Sequence, residues 1–156
     1  MCQGCSYEAL HLATAEEVST KVLWMLQERF NEVRTKVDQF FDGYGAEQVV
    51  FTSGITESLN TVIKGSLNHG DHVITTFMEH NSVLRPLYEM ERQGVCLTIT
   101  SPDVGISTGD HKDTKMIVMT HASNVTGEVF DIQSVGKLCR EKGILFVVEY
   151  RSKCWT

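Results

Sequence analysis

Between Ile55 and Val148 the apolar residues change their spacing repeatedly, and this alternation restricts the fold more than any other feature of the sequence. Ile55, Leu59, Val62, Ile63 and Leu67 recur at helical intervals, then give way at Asn68-His69-Gly70-Asp71 to the β-rich run His72–Thr76. His80–Arg92 is helical again, with Val83, Leu84, Leu87 and Met90 on one face; Gly94 stops it and Val95–Thr100 reads as a strand. The polar stretch 101–114 reads as a loop and Lys115–Thr120 as a strand. Asp131–Lys142 is a helix with Ile132, Val135, Leu138 and Cys139 on one side, ended by Gly143, and Ile144–Val148 is an entirely apolar strand. Upstream, Leu26, Phe30, Val33, Val37, Phe40 and Phe41 mark a long amphipathic helix from Ala15 to about Phe41, followed by a short β-rich run, Gln48–Thr52. Strands that alternate with helices predict an α/β fold: a mostly parallel sheet with helices on both faces, joined by right-handed crossovers.

Composition narrows the function classes. A formal charge of −6 over 156 residues leaves no basic field for nucleic acid or an anionic membrane surface. Small anions remain possible ligands, since backbone amides bind them whatever the net charge. No apolar stretch reaches the length of a membrane span, and Met-Cys-Gln-Gly-Cys lacks the layout of a secretory signal. Five cysteines without such a signal suggest reduced thiols, and cytoplasmic is the expected location. The spacing of Cys2 and Cys5 is half a zinc site at most, because tetrahedral zinc takes four ligands, so no metal site is expected. Cys96 and Cys139, in a strand and on an apolar helix face, are expected in the core. A nucleotide-binding fold of the G-x-G-x-x-G kind is disfavoured, because no helix opens on that motif.

Ligands of parallel sheets gather at the carboxyl ends of the strands, and the chemistry-bearing segments fall there. Thr52-Ser53-Gly54-Ile55-Thr56-Glu57 carries the chain into a helix whose first amides lack partners, a setting for a phosphate or for a plain N-cap. Met78-Glu79-His80-Asn81-Ser82 follows the strand ending at Thr76; its histidine can cover a flat ring, move protons, or simply cap the next helix. Thr120-His121-Ala122-Ser123-Asn124-Val125-Thr126-Gly127 follows the next strand, and Asn124 can donate to a ligand oxygen or shape the turn. Glu149 closes the last strand with a carboxylate that either meets a ligand cation or ends the strand in water.

Together these segments resemble the class V aminotransferase fold, and most of all its cysteine desulfurase and selenocysteine lyase branch. The resemblance rests on Val50-Phe-Thr-Ser-Gly-Ile-Thr-Glu-Ser-Leu-Asn60, Gly70-Asp-His-Val-Ile-Thr-Thr76, Met78-Glu-His-Asn-Ser-Val-Leu-Arg-Pro86 and Met119-Thr-His-Ala-Ser-Asn-Val-Thr-Gly127, in the family's order and at comparable spacing. It covers residues 47–149 well. The implied fold is part of the large domain of a fold-type I pyridoxal-phosphate transferase, and the implied cofactor is pyridoxal 5'-phosphate. By resemblance, Gly54, Ile55 and Thr56 would hold the phosphate and His80 would stack on the pyridine and help move protons. Asn124 would bond the phenolic oxygen, and Glu149 would face the ring nitrogen where the family has an aspartate. The family takes a small amino-acid substrate, removes sulfur from cysteine to give alanine and an enzyme persulfide, and forms homodimers.

The sequence departs from the family after Glu149. Ser152 stands where the family has a glutamine, and Lys153 lies too near Glu149 to be the lysine that links to the cofactor. The persulfide-forming cysteine, the substrate-carboxylate arginine and the small domain have no counterparts. The expected organisation is an N-terminal helical segment at 1–46, a partial cofactor-binding domain at 47–149, and an aberrant or truncated tail at 150–156. The expected function is that of a desulfurase fragment, inactive alone; the alternative is a non-catalytic module that binds phosphate or pyridoxal phosphate.

Overall fold

The computed structural model describes residues 15–101, 113–123 and 126–150, and the chain divides into two compact units between Phe51 and Thr52. In the first, α1 (Ala15–Phe40) is followed by a 3-10 turn, Ala46–Gln48. The aspartate of its last turn ties the chain reversal: Asp38 accepts from the Gly43 amide through its backbone carbonyl and from the Gly45 amide through Oδ1, both at 2.9 Å. The Phe51 ring meets Phe30 at 6.0 Å and lies 5.9 Å from the Arg34 guanidinium. The β-rich run Gln48–Thr52 does not become a strand. Val49 is extended, but no strand among the described residues takes up the run's backbone, and Val50 and Phe51 remain exposed.

The second unit runs α2 (Ile55–Ser66), β1 (His72–Thr76), α3 (Asn81–Arg92), β2 (Cys96–Thr100), β3 (Thr114–Thr120), α4 (Ile132–Lys142) and β4 (Leu145–Glu149). All strand pairs are parallel and the sheet order is β2-β1-β3-β4. Each helix and strand expected from Ile55 onward is present, with ends moved by a residue or so, which is ordinary for frayed termini, whereas most of the expected loop at 101–114 lies outside the described residues. The described sheet bears out the α/β expectation, including helices on both faces. Leu59 and Ile63 of α2 with Val83, Leu87 and Met90 of α3 pack on Val73, Met116 and Val118, whereas Val135 and Cys139 of α4 pack on Ile74, Ile117 and Phe146. Successive side chains of a strand face opposite ways, so Val73 and Ile74 serve different cores.

Local chemistry ends the helices where the sheet needs them to end. Gly143 adopts a left-handed φ of 66° after α4, and the Ile144 amide reaches back to the Cys139 carbonyl at 2.9 Å. Gly94, at φ 95°, also lacks room for a side chain, since the His69 ring lies where its Cβ would be. At the amino end of β1, the buried His72 ring bridges Thr98 and Thr114, each at 2.9 Å, and so links three strands. Cys139 is buried as expected. Cys96 is not: it opens β2, an edge strand whose residues are exposed or half-buried, so the expected burial of this thiol fails.

No helix among the described residues is long and apolar enough to cross a membrane. Leu23, Trp24, Met25 and Phe30 of α1 are nevertheless exposed, as are Ile99 of β2 and Leu145 of β4 on the outer strands. Open strand edges and bare apolar surface favour association over a solvated monomer. The isolated chain is therefore expected to self-associate in sedimentation or light scattering. A monodisperse monomer with a sharp cooperative melt would contradict this. Ile63 has no exposed surface in the main core, so Ile63→Ala is expected to cost about 2–5 kcal/mol in urea unfolding.

Candidate functional site

The strand order reverses direction between β1 and β3. From β1 the chain crosses through α3 to β2 on one side, and from β3 it crosses through α4 to β4 on the other. With right-handed crossovers, opposite directions put α3 and α4 on opposite faces, which is where they lie. The loops that leave the carboxyl ends of β1 and β3 therefore part from each other and open a crevice. Those loops carry Glu79 and His80 on one side and His121, Ala122 and Ser123 on the other.

The turn before α2 reaches the same end of the sheet. α2 leads into the amino end of β1 and packs along α3, so its own amino terminus points to the carboxyl edge, and Ile55 rests against the core that holds Val147. Gly54 is the N-cap and is exposed, with open space where a side chain would be. No side chain caps this helix. Instead Glu57 turns back and accepts from the Ser53 amide at 2.7 Å and the Ser53 hydroxyl at 2.6 Å. Those two donors hold the Glu57 carboxyl below its ordinary range. The first amides, on Ile55 and Thr56, have no carbonyl a turn earlier to bind, and Thr56 is exposed. A turn that already draws in one anionic group and keeps further donors at its mouth suits an anion.

His80 is the N-cap of α3. Its Nδ1 accepts from the Ser82 amide at 3.1 Å and lies 2.9 Å from the Ser82 hydroxyl. This pattern puts the ring proton on Nε2, on the far side of the imidazole. The ring is exposed at the crevice, so the cap fixes its orientation without hiding its face. The capping role weighed from the sequence is thus present, and it is compatible with a role toward a ligand.

Glu149 is buried at 2% exposure, so it does not end β4 in water. It stands in register with Thr120, and its carbonyl accepts from the His121 amide at 3.0 Å. By alternation its side chain shares a face with Val147, the face of α2 and α3. Beside it, the His121 and Tyr150 rings stack at 4.9 Å and 12°. Asn124 lies outside the described residues, as do Ser152 and Lys153. Thus the structure brings the turn at Gly54–Thr56, His80 and Glu149 to one edge of the sheet.

Sequence reasoning quoted Glu79 within a motif and gave it no role. Glu79 is 7% exposed and its carboxyl ties two strands together: Oε1 accepts from the Thr76 hydroxyl at 2.7 Å and the Thr120 amide at 2.9 Å. Oε2 is buried without a partner. Burial drives the carboxyl up to about 7 from an ordinary 4.5; the two donors oppose the rise, and the charge of Glu149 adds a little to it. The only hint in the sequence is an acid close behind an apolar strand, which on its own describes many solvated loops. A hollow of about 490 Å³ on the first unit, lined by Val22, Met25, Leu26, Arg29, Phe30, Val33 and Phe51, is almost wholly apolar and offers no such chemistry.

Residues 6–153 match the family model described as Aminotransferase class-V. The cysteine desulfurase IscS of Shewanella amazonensis is 35% identical over 137 residues, which are 81% of this chain and 34% of that protein. IscS of Pectobacterium atrosepticum is 33% identical over the same shares. The chain spans about a third of the length of the curated relatives it matches. Among solved structures, DndA from Streptomyces lividans superposes with a TM-score of 0.72 at 20% identity, over 89% of this chain and 41% of that one. The cysteine desulfurase CsdA from Escherichia coli gives a TM-score of 0.65 at 23% identity, over 92% and 38%. At such identities the superpositions establish the fold alone.

Two outcomes test the local geometry. The folded chain holds the Glu79 proton at a pH where the unfolded chain has released it. Its contribution to stability is therefore complete below about 4.5 and is lost as pH rises through about 7. A shift of this size corresponds to roughly 3 kcal/mol. Urea midpoints are expected to fall across that window, and to fall less in Glu79→Gln; parallel profiles would refute the assignment. His80→Ala removes the N-cap of α3 and is expected to cost about 1 kcal/mol in the same measurement.

Proposed function

Because the chain belongs to the class-V aminotransferase family, we propose that it is the cofactor-holding part of a pyridoxal-phosphate-dependent enzyme of the cysteine desulfurase type, acting on a small amino acid. The observation that supports this most is the buried acid at the carboxyl end of β4, in a crevice whose mouth carries helix-terminal amides.

The residues suit the groups that pyridoxal phosphate presents. Its phosphate is served by the amides of Ile55 and Thr56 and the Thr56 hydroxyl, beside a Gly54 that leaves open space. Its flat ring is served by the exposed His80 imidazole, held in one orientation by Ser82. Its ring nitrogen, a base that becomes cationic on protonation, is served by Glu149. In this assignment Glu149 takes the family's aspartate position with one more methylene, and Asn124 would donate to the phenolic oxygen. When bound, such a cofactor supplies an electron sink for breaking bonds of an amino acid.

The chain's own residues have definite tasks in that setting. The α2 terminus would anchor one end of the ligand and Glu149 would meet the other, while His80 would cover one face and exclude water from it. With Nδ1 occupied by Ser82, proton movement at His80 would pass through Nε2.

Calorimetric titration with pyridoxal 5'-phosphate tests this reading. Saturable binding that inorganic phosphate competes away is expected. Glu149→Gln should weaken it about tenfold, a change of about 1.4 kcal/mol. Binding that phosphate does not displace, or that Glu149→Gln leaves intact, would defeat the assignment.

A further inference from the structure

β1 and β3 part at the end of the sheet where the crevice opens. Their register runs from His72↔Thr114 to Thr75↔Val118. On its other side β1 stays with β2 to Thr76↔Thr100, and the Phe77 amide still donates to the Thr100 carbonyl at 3.1 Å. Thr120 lies two residues past the last partner that β1 has on β3, and its amide is met by a side chain: Glu79 Oε1 accepts from it at 2.9 Å. The same oxygen accepts from the Thr76 hydroxyl at 2.7 Å. One carboxyl thus closes the β1–α3 loop on itself and fastens it to β3.

Of residues 77–80, which join β1 to α3, Glu79 alone is buried; Phe77 and His80 are exposed and Met78 is half-buried. A longer ladder would have given the Thr120 amide a backbone carbonyl. The carboxyl takes that place while burying Oε2 without a partner, which weakens the tie as a source of stability. What the tie fixes is position. His80 is the next residue, its Cα about 3.8 Å further on. Its carbonyl accepts from the Val83 and Leu84 amides at 2.9 and 3.1 Å, and its Nδ1 accepts from the Ser82 amide. Those bonds are local to α3 and travel with that helix, and the apolar packing of α3 begins at Val83, past the residue that carries the ring. Ser82 therefore determines how the imidazole is turned, and Glu79 refers it to the strand across the crevice.

We propose that Glu79 is a positioning residue for His80: by fastening the β1–α3 loop to Thr120 where β1 and β3 part, it sets the His80 ring at the crevice, and it does so as a hydrogen-bond acceptor through Oε1. In what the ring then meets, a flat heterocycle, this inference rests on the cofactor reading above; the placement of His80 itself does not.

Amide hydrogen exchange of the full chain without ligand, read by NMR, tests the placement. In Glu79→Ala the amides of Thr120, Ser82, Val83 and Leu84 are expected to lose protection together, by about tenfold. The Cys96 amide, bonded to the Asp71 carbonyl at the opposite end of the sheet, should keep its protection. Glu79→Gln, which retains Oε1 as an acceptor, is expected to restore all four. Faster exchange at Thr120 alone would leave Glu79 a strand tie, and an equal loss throughout the sheet would leave it a general support; either overturns the proposal, as does a Glu79→Gln that restores nothing. Should Glu79→Ala not fold, Thr76→Val, which removes one of the two donors to Oε1, must show the same joint loss in smaller measure.

Ligand affinity tests the action through His80. Glu79→Ala is expected to weaken binding of pyridoxal 5'-phosphate about fivefold, while inorganic phosphate, which needs only the α2 terminus, changes by less than about twofold. Combined with His80→Ala, it should add less than about twofold to the loss that His80→Ala causes alone, as one residue acting through another does. Losses that multiply in the double variant overturn the proposal. A chain that binds no pyridoxal 5'-phosphate removes the function proposed above, and the exchange pattern still judges the placement of His80.

Discussion

The pairing of β1 with β3 is the contact on which the second unit depends. Because the strands next to each other in space are not next to each other in sequence, the chain must leave β1 and β3 in opposite directions. Right-handed crossover then forces α3 and α4 to opposite faces. A parallel ladder also buries its strands on both sides, and this explains why Val73 and Ile74, or Val118 and Ile117, are consecutive apolar residues serving different cores. The crevice at the carboxyl ends follows from the same pairing.

What the fold places in that crevice combines two settings of opposite electrostatic sense. The α2 terminus offers amides and hydroxyls and draws in anionic groups, as its grip on Glu57 shows. The strand ends offer carboxyls removed from water, Glu79 after β1 and Glu149 at the end of β4. Desolvation dominates at Glu79: two hydrogen bonds that favour its ionised form do not offset the cost of burying its charge. A ligand with an anionic end and a cationic ring nitrogen matches both settings at once. An anion or a cation alone matches only one.

His80 meets a structural demand in a way that leaves a chemical one open to it. Capping α3 through Nδ1 consumes one ring nitrogen and restricts ring rotation, and restricted rotation is what a stacking surface requires. Its position as a cap therefore does not count against a role toward a ligand. The family match runs over residues 6–153, while the chain spans only about a third of its curated relatives.

Much of this was legible from spacing. The elements from Ile55 onward, the parallel sheet and the loops worth attention follow from apolar periodicity and from glycines such as Gly94 and Gly143, because these depend on neighbours in the chain. Local pattern misled at Gln48–Thr52, where β-propensity is high and no strand accepts the backbone, and at Cys96, where an apolar run forms an exposed edge. The tie between Glu79 and Thr120 was invisible, since the two residues are 41 positions apart in the chain. Periodicity records which side chains seek the interior. That the Glu79 carboxyl is pushed up depends on the burial that tertiary folding imposes, because surroundings, not residue type, determine the energy of a charge.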